Sequence, residues 1–228
     1  MIEESLHAVQ QRMADAMASV GRVDTALLVA VTKNHPVSSV EAVARLGCTH
    51  VGENRVQEAK EKQALYNGPD LVWHLIGHLQ VNKVRQAVPM FDLIHSVDSK
   101  KLLDEIEKVA AKHDKVQDIL LQVNVAREAS KSGMSVEEFP DIREYAKTLP
   151  HVRVRGLMCM APFFENPEDA RPIFRVAKAL YEDMKGYFPD GDIQYLSMGM
   201  THDFEVALQE GANIVRGGTA IFGERVYN

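Results

Sequence analysis

The apolar residues of this chain follow two alternating rhythms. Short runs of aliphatic residues give way to longer stretches in which apolar positions recur three or four apart. The first rhythm predicts strands and the second amphipathic helices. Strands are expected at about 26–31, 49–51, 72–76, 93–96, 118–123, 152–157, 194–197 and 213–215. Helices are expected at about 37–46, from GENRVQE at 52–58 to about 65, at 81–88, after Asp98 as a cap, from Asn166-Pro167-Glu168, at 203–210 and after Thr219. Ser135 and Glu138 match a capping box ahead of Ile142, Tyr145 and Leu149, although Pro140 removes a donor one turn in, so that helix can begin nearer Pro140. Ahead of the first strand, Ile2, Leu6, Val9, Met13, Met17 and Val20 give residues 2–20 one apolar face. This extra helix is expected to cover one end or side of the core.

Strict alternation of strand and helix requires a parallel sheet. Eight such units in this length favour an α/β fold closed as a (β/α)8 TIM barrel with an additional N-terminal helix. The competing architecture is an open doubly wound sheet. No Pro/Gly/Ser tract or low-complexity segment divides the chain, so residues 1–228 are expected to form one domain.

Composition narrows the function classes. With 46% hydrophobic and 25% charged residues, the chain can bury a full core. A formal charge of −6, with no basic cluster interleaved with aromatics, argues against a nucleic-acid surface. Cys48 and Cys159 lie far apart and form no disulfide framework, which fits a reducing cytoplasm. The acidic N-terminus has no apolar signal-peptide core, and no run approaches a membrane span.

The chemistry starts at LLVAVTKNHP, residues 27–36. Lys33 falls at or just past the carboxyl end of an early parallel strand, the end where α/β folds bind ligands. A lysine half-buried there loses solvation of its charge, and a neutral amine attacks carbonyl carbon. The competing reading is a solvated loop lysine. Near the other end of the chain, Ser197-Met198-Gly199-Met200-Thr201 and Arg216-Gly217-Gly218-Thr219 each follow a predicted strand and precede a helix. Glycine turns in the seventh and eighth loops of such barrels commonly hold phosphate, through amide N–H groups and hydroxyl donors. Arg216, expected in the same turn, is a permanent cation that only donates. An amine and a phosphate cup suit a ligand with both an aldehyde and a phosphate, and pyridoxal phosphate is such a ligand. Arg216 would face an unprotonated ring nitrogen and leave the ring a weaker electron sink. A Schiff-base aldolase acting on a phosphorylated sugar would share the lysine and the cup.

Seven motifs carry a resemblance over nearly the whole chain: AVTK at 30–33, GENRVQE at 52–58, WHLIGHLQVNK at 73–83, the Lys131-Ser132-Gly133 turn, RGLM at 155–158, LSMGMTHD at 196–203 and VRGGTAIFG at 215–223. On these the chain resembles the pyridoxal phosphate homeostasis protein family, which shares its barrel with the N-terminal domain of bacterial alanine racemase. The resemblance implies a fold type III barrel without the second β domain. It implies an internal aldimine on Lys33, and a phosphate held by Ser197, Gly199, Met200, Thr201, Gly218 and Thr219. It also implies that Arg216 faces the pyridine nitrogen and that Asn54 lines the pocket. Gly217 departs from the branched aliphatic residue common in the family and leaves a small gap.

Other residues have simpler readings. His74 and His78 share no helical face and no metal pattern; His74 is expected as a hydrogen-bonded barrel residue and His78 at the rim. Glu53 and Glu58 are expected at a helix N-terminus or in ion pairs with Arg55 and Lys62. Lys83 and Lys131 are read as solvated, Met158, Met198 and Met200 chiefly as packing, and Cys159 as a buried, inert thiol.

Function then divides into a carrier that buffers pyridoxal phosphate or delivers it to apo-enzymes, and an amino-acid racemase. Racemisation needs acid–base groups on both faces of the ligand. Lysine serves one; in alanine racemase a tyrosine from a partner chain's second domain serves the other. Here only Tyr195 lies near a predicted pocket loop. The expectation is therefore a monomeric carrier rather than an enzyme.

Overall fold

A computed structural model describes residues 1–129 and 132–224 of the chain; Lys131 of the Lys131-Ser132-Gly133 turn, and Tyr227, lie outside that range. Each aliphatic run becomes a strand of a single sheet: β1 Leu27–Val31, β2 His50–Glu53, β3 Val72–Leu75, β4 Leu93–Val97, β5 Gln117–Gln122, β6 Val152–Met158, β7 Tyr195–Ser197 and β8 Ile214–Gly217. Neighbours pair in chain order, all in parallel, and β8 returns to β1, so the barrel is closed. The closing register sets Val29 of β1 opposite Arg216 of β8.

The helices are α1 Ile2–Ser19, α2 Val37–Arg45, α3 Val56–Leu65, α4 Val84–Met90, α5 Lys100–Lys112, α6 Phe139–Ala146, α7 Arg171–Met184, α8 Phe204–Gln209 and α9 Thr219–Phe222. Their apolar faces cover the outer surface of the barrel, and the larger core lies in that layer. Leu6, Val9, Met13, Ala16 and Met17 are the buried face of α1, which packs against α8 and α9. Arg12 fixes this contact by pairing with Glu205 at 2.6 Å while its guanidinium covers the Phe204 ring. A second, smaller cluster of Val29, Leu93, Leu120, Met158 and Ile214 draws on five strands and plugs the barrel interior.

The structure moves several expected boundaries. β2 runs on to Glu53 and β8 to Gly217, so Glu53 and Arg216 are strand residues rather than loop residues. Gly217 reads as a turn signal, and GENRVQE as the opening of a helix, but strand pairing overrides both local preferences. Ser99, not Asp98, caps α5 by accepting from the Leu102 N–H; the Asp98 carboxylate instead accepts from the Gly133 N–H. Ser135 and Glu138 do form the reciprocal capping bonds, with the helix proper starting at Phe139. Pro167–Ala170 is a 3₁₀ turn capped by Asn166, and Arg171 opens α7.

Gly156 is the position where the barrel tolerates no side chain. Its φ is +151°, and a Cβ there would lie 1.7 Å from the Tyr195 carbonyl oxygen. At Gly217 the nearest atom to an added Cβ is 3.6 Å away. Gly156→Ala is expected to cost more than about 3 kcal/mol, and Gly217→Ala to stay within about 1 kcal/mol of the parent. Urea unfolding midpoints of the two variants test this contrast.

Candidate functional site

At the carboxyl ends of the strands a cavity of about 510 Å³ opens. Its walls gather residues that the sequence scatters over nearly its whole length. Lys33 follows β1, Asn54 follows β2, Met200 and Thr201 follow β7, Arg216 comes from β8, and Gly218 and Thr219 follow it. His78, Asn124, Met160 and Asp203 complete the lining that bears on the chemistry below.

Lys33 sits two residues beyond β1 and is half-buried. The turn that carries it needs a left-handed residue, and Asn34 supplies one with φ +62°. A buried network holds this turn from below. Lys62 of α3 donates to the Thr32 carbonyl at 2.6 Å, to Glu53 Oε1 at 2.7 Å and to Glu58 Oε1 at 2.9 Å. The Thr32 hydroxyl also donates to Glu53 Oε1, and Glu58 accepts the Asn34 N–H. Thus Lys62, rather than Arg55, is the cation that pairs both acids. Glu53 is fully buried; burial pushes its carboxyl up, while the bonds from Lys62 and Thr32 pull it back.

Arg216 enters the cavity from the barrel interior. It is 3% exposed, and burial lowers it to about 10, which leaves it a cation at neutral pH. Its Nη1 donates to Ser197 Oγ at 2.5 Å and its Nη2 to the Cys159 carbonyl at 3.2 Å. Its main-chain N–H donates to the Gly199 carbonyl.

Two expected site residues lie outside the cavity wall in this structure. Ser197 is fully buried behind Arg216 and does not line the cavity, because its hydroxyl is spent on Arg216 and His95. Gly199 is also absent from the cavity wall. Its φ is +103°, and a Cβ there would meet the Ala207 Cβ at 2.7 Å, so it shapes the turn where β7 meets α8. Both residues position their neighbours. Met200, Thr201, Gly218 and Thr219 do reach the cavity, as do Lys33, Asn54 and Arg216. Thr201 Oγ1 accepts weakly from the Ala220 N–H at 3.4 Å and links the two glycine turns.

Several residues here went unread in the sequence. Asp203 lines the cavity and orders the Met200 turn by accepting its N–H at 2.8 Å; burial pushes its carboxyl up, against the pull of that bond and of Arg216. His50, His74 and His95 form a hydrogen-bonded row. His50 Nδ1 lies 3.0 Å from His74 Nε2, and His74 Nδ1 lies 2.9 Å from His95 Nε2. The available signal was a histidine in the aliphatic run LIHSV, where a polar ring must find a partner inside. His74 is thus a bonded barrel residue, and His78 stands on the rim. Cys159 is buried, and burial pushes its thiol up to about 12. Among the described residues no cluster of His, Cys, Asp or Glu could hold a metal ion, and no helix is long and apolar enough to cross a membrane. No described tyrosine lines the cavity; Tyr195 packs against the plug in the barrel interior.

A closed parallel barrel with a lysine and an arginine facing one cavity at its carboxyl end matches a known family. Residues 5–226 match the model of the alanine racemase N-terminal domain. A pyridoxal phosphate homeostasis protein of Aquifex aeolicus is 44% identical over 225 residues, covering 98% of each chain. One from Pasteurella multocida is 37% identical over 231 residues, covering 100% of this chain and 99% of its own. The chain therefore belongs to the alanine racemase N-terminal domain family and, within it, to the pyridoxal phosphate homeostasis proteins. PipY of Synechococcus elongatus, 35% identical and solved both without and with pyridoxal phosphate bound, superposes with TM-scores of 0.88 and 0.82, covering 98% of this chain and all of its own. Alanine racemase of Bartonella henselae, 14% identical, shares the fold with a TM-score of 0.69 over 94% of this chain and 58% of its own.

The network under Lys33 gives a test of pH dependence. Lys62→Met leaves Glu53 buried without its cation, an arrangement that costs about 3–5 kcal/mol. A raised carboxyl favours the folded state only while protonated, so this loss is expected at neutral pH and should shrink as pH falls through the raised value. Glu53→Gln combined with Lys62→Met should recover part of the loss at neutral pH. Urea unfolding of these variants at pH 4 and pH 7 measures both effects.

Proposed function

We propose that this chain binds pyridoxal phosphate in the upper cavity, with covalent attachment at Lys33, and serves to buffer or deliver it. The observation that carries this reading is that Lys33 and Arg216 reach one cavity from opposite ends of the sequence, together with the Thr201 and Gly218-Thr219 turns. The donor set fits the ligand. Lys33 supplies an amine suited to an aldehyde carbon. Thr201 and Thr219 offer hydroxyls, and Gly218 packs its turn closely against β1, where a Cβ would press on the Val31 carbonyl at 3.0 Å. Arg216, a donor without acceptor capacity, suits a ring nitrogen that carries a lone pair. Bound pyridoxal phosphate would supply an electrophilic carbon and an electron-accepting ring. The pyridoxal phosphate seen in PipY supports the choice of ligand.

The carrier reading is favoured over a racemase by one feature of the cavity. Racemisation requires a second acid–base group opposite Lys33. No described tyrosine lines the cavity, and two of the acid–base groups that do are already engaged: His202 Nε2 bonds to the Phe164 carbonyl and Asp203 accepts the Met200 N–H, while His78 stands at the rim. Delivery to apo-enzymes, a monomeric state and a single domain over the whole chain belong to the same proposal.

Borohydride reduction of the protein loaded with pyridoxal phosphate, followed by peptide mass spectrometry, is expected to place a pyridoxyl group on Lys33. A reduced adduct on another lysine, or none, would refute the assignment. Lys33→Ala is expected to lose the visible absorbance of the loaded protein yet keep weaker binding through the phosphate turns. Incubation of loaded protein with single L-amino acids should give no sustained conversion to the D form by chiral chromatography; steady turnover would favour the racemase.

A further inference from the structure

The histidine row does not belong to the cavity wall, and the reading above makes no use of it. His50 opens β2 at the lower, amino end of the barrel, on the wall of a second cavity of about 470 Å³ between α1 and the strand starts. His74 lies on β3 and His95 on β4. From His95 Nδ1 the row crosses the barrel to Ser197 Oγ on β7, at 3.0 Å, and from there reaches Arg216. His74 and His95 are 2% and 0% exposed, so their bonds run through space that water does not share.

We propose that Ser197, His95, His74 and His50 form a one-way hydrogen-bond relay that carries the orientation imposed by Arg216 through the barrel to the lower cavity. The direction follows from donor and acceptor counts. Arg216 can only donate, so Ser197 Oγ accepts from it. The other partner of Ser197 Oγ is His95 Nδ1, so the hydroxyl proton points there. His95 Nδ1 is then a bare acceptor, and a neutral ring carries its proton on Nε2, which donates to His74 Nδ1. By the same step His74 Nε2 donates to His50 Nδ1. One donor-only guanidinium thus assigns the tautomer of three rings.

Burial keeps the middle of the relay neutral. Desolvation holds His74 down at about 3 and His95 well below its ordinary range, with the neighbouring rings and Arg216 adding to the effect. The lower end is where the relay can be read. A proton added to His50 Nδ1 would meet the His74 Nε2 proton, donor against donor. The relay therefore opposes charging of His50 beyond the desolvation that already lowers it. The groups facing His50 are His74 on β3, Asp92 ahead of β4 and Cys48 ahead of β2. Arg22 and Asp24 share the lower cavity wall, where α1 presents the uncharged Gln10.

Ring-nitrogen NMR of histidine-labelled protein, assigned by single substitutions, tests the relay without any ligand. At pH 7.5, His50, His74 and His95 are each expected to carry the proton on Nε2; Nδ1–H in His74 or His95 would overturn the proposal. Arg216→Met removes the donor that sets the direction, and Ser197→Ala cuts the path while leaving the charge in place. Both are expected to give mixed tautomers along the row and to raise the His50 midpoint by about one pH unit, whereas Arg216→Lys, another donor-only cation, keeps the single tautomer. If Ser197→Ala folds with the row unchanged, the rings are set locally and the relay falls; amide dispersion in the same spectra confirms folding, and Ser197→Ala carries the test should Arg216→Met not fold.

The link between the two cavities rests on the cofactor reading. Added pyridoxal phosphate is expected to shift the His50 ring signals in the wild type and to leave them still in Ser197→Ala. Binding that leaves wild-type His50 unmoved would overturn the link. Failure of pyridoxal phosphate to bind would overturn the cofactor reading and leave the tautomer test standing.

Discussion

Arg216 carries a permanent charge into the interior of a closed sheet, and much of the surrounding design answers that demand. A buried cation must be hydrogen-bonded, or its desolvation goes uncompensated. The Cys159 carbonyl and the Ser197 hydroxyl take two of its donors. Asp203 lies close enough to stabilise its charge without a direct hydrogen bond. The guanidinium is thereby held in one orientation, with its remaining capacity turned toward the cavity. Lys33, beyond the end of the adjacent strand β1, is positioned by a different device, a compact ion network beneath its turn. The cavity thus has one immobile cation and one amine on a shaped turn, each anchored by groups that do not themselves face the ligand.

On the reading proposed above, with Arg216 opposite the ring nitrogen, the two anchors would suit binding. A donor-only group opposite a ring nitrogen leaves that nitrogen without a proton, so the ring draws electrons weakly and carbanion chemistry gains little. A network that fixes the Lys33 turn limits where its amine can move. Neither feature hinders reversible attachment of an aldehyde.

Much of the fold was legible because its signal is local. Aliphatic runs and three-four spacing gave all eight strands and the covering α1, since both depend on which residues each short segment buries. The errors lie where a local signal spoke first while a neighbouring strand decided otherwise, at Gly52, read as opening a helix but paired in β2, and at Gly217, read as a turn but paired in β8. That misreading put Arg216 in a loop. The bonds of Ser197 were not legible for a related reason: a hydroxyl at a strand end can face either side, and its pairing with arginine is set by β8 rather than by its own segment. The Lys62 network and the histidine row were hidden because their partners come from different strands and helices. No spacing within one segment announces a bond between β4 and β7.

The register that seats Val29 beside Arg216 has a consequence for biosynthesis. Lys33 emerges from the ribosome early, on a strand whose closing neighbour is made almost last. Until β8 arrives, β1 has one free edge, α1 lacks α9, and the Gly218-Thr219 turn does not exist. Loop-closure entropy of this kind is met late and all at once. A nascent chain stalled short of β8 would expose an amine with no cradle and a sheet with an open seam, and so be unable to hold its ligand while being prone to pair with its neighbours.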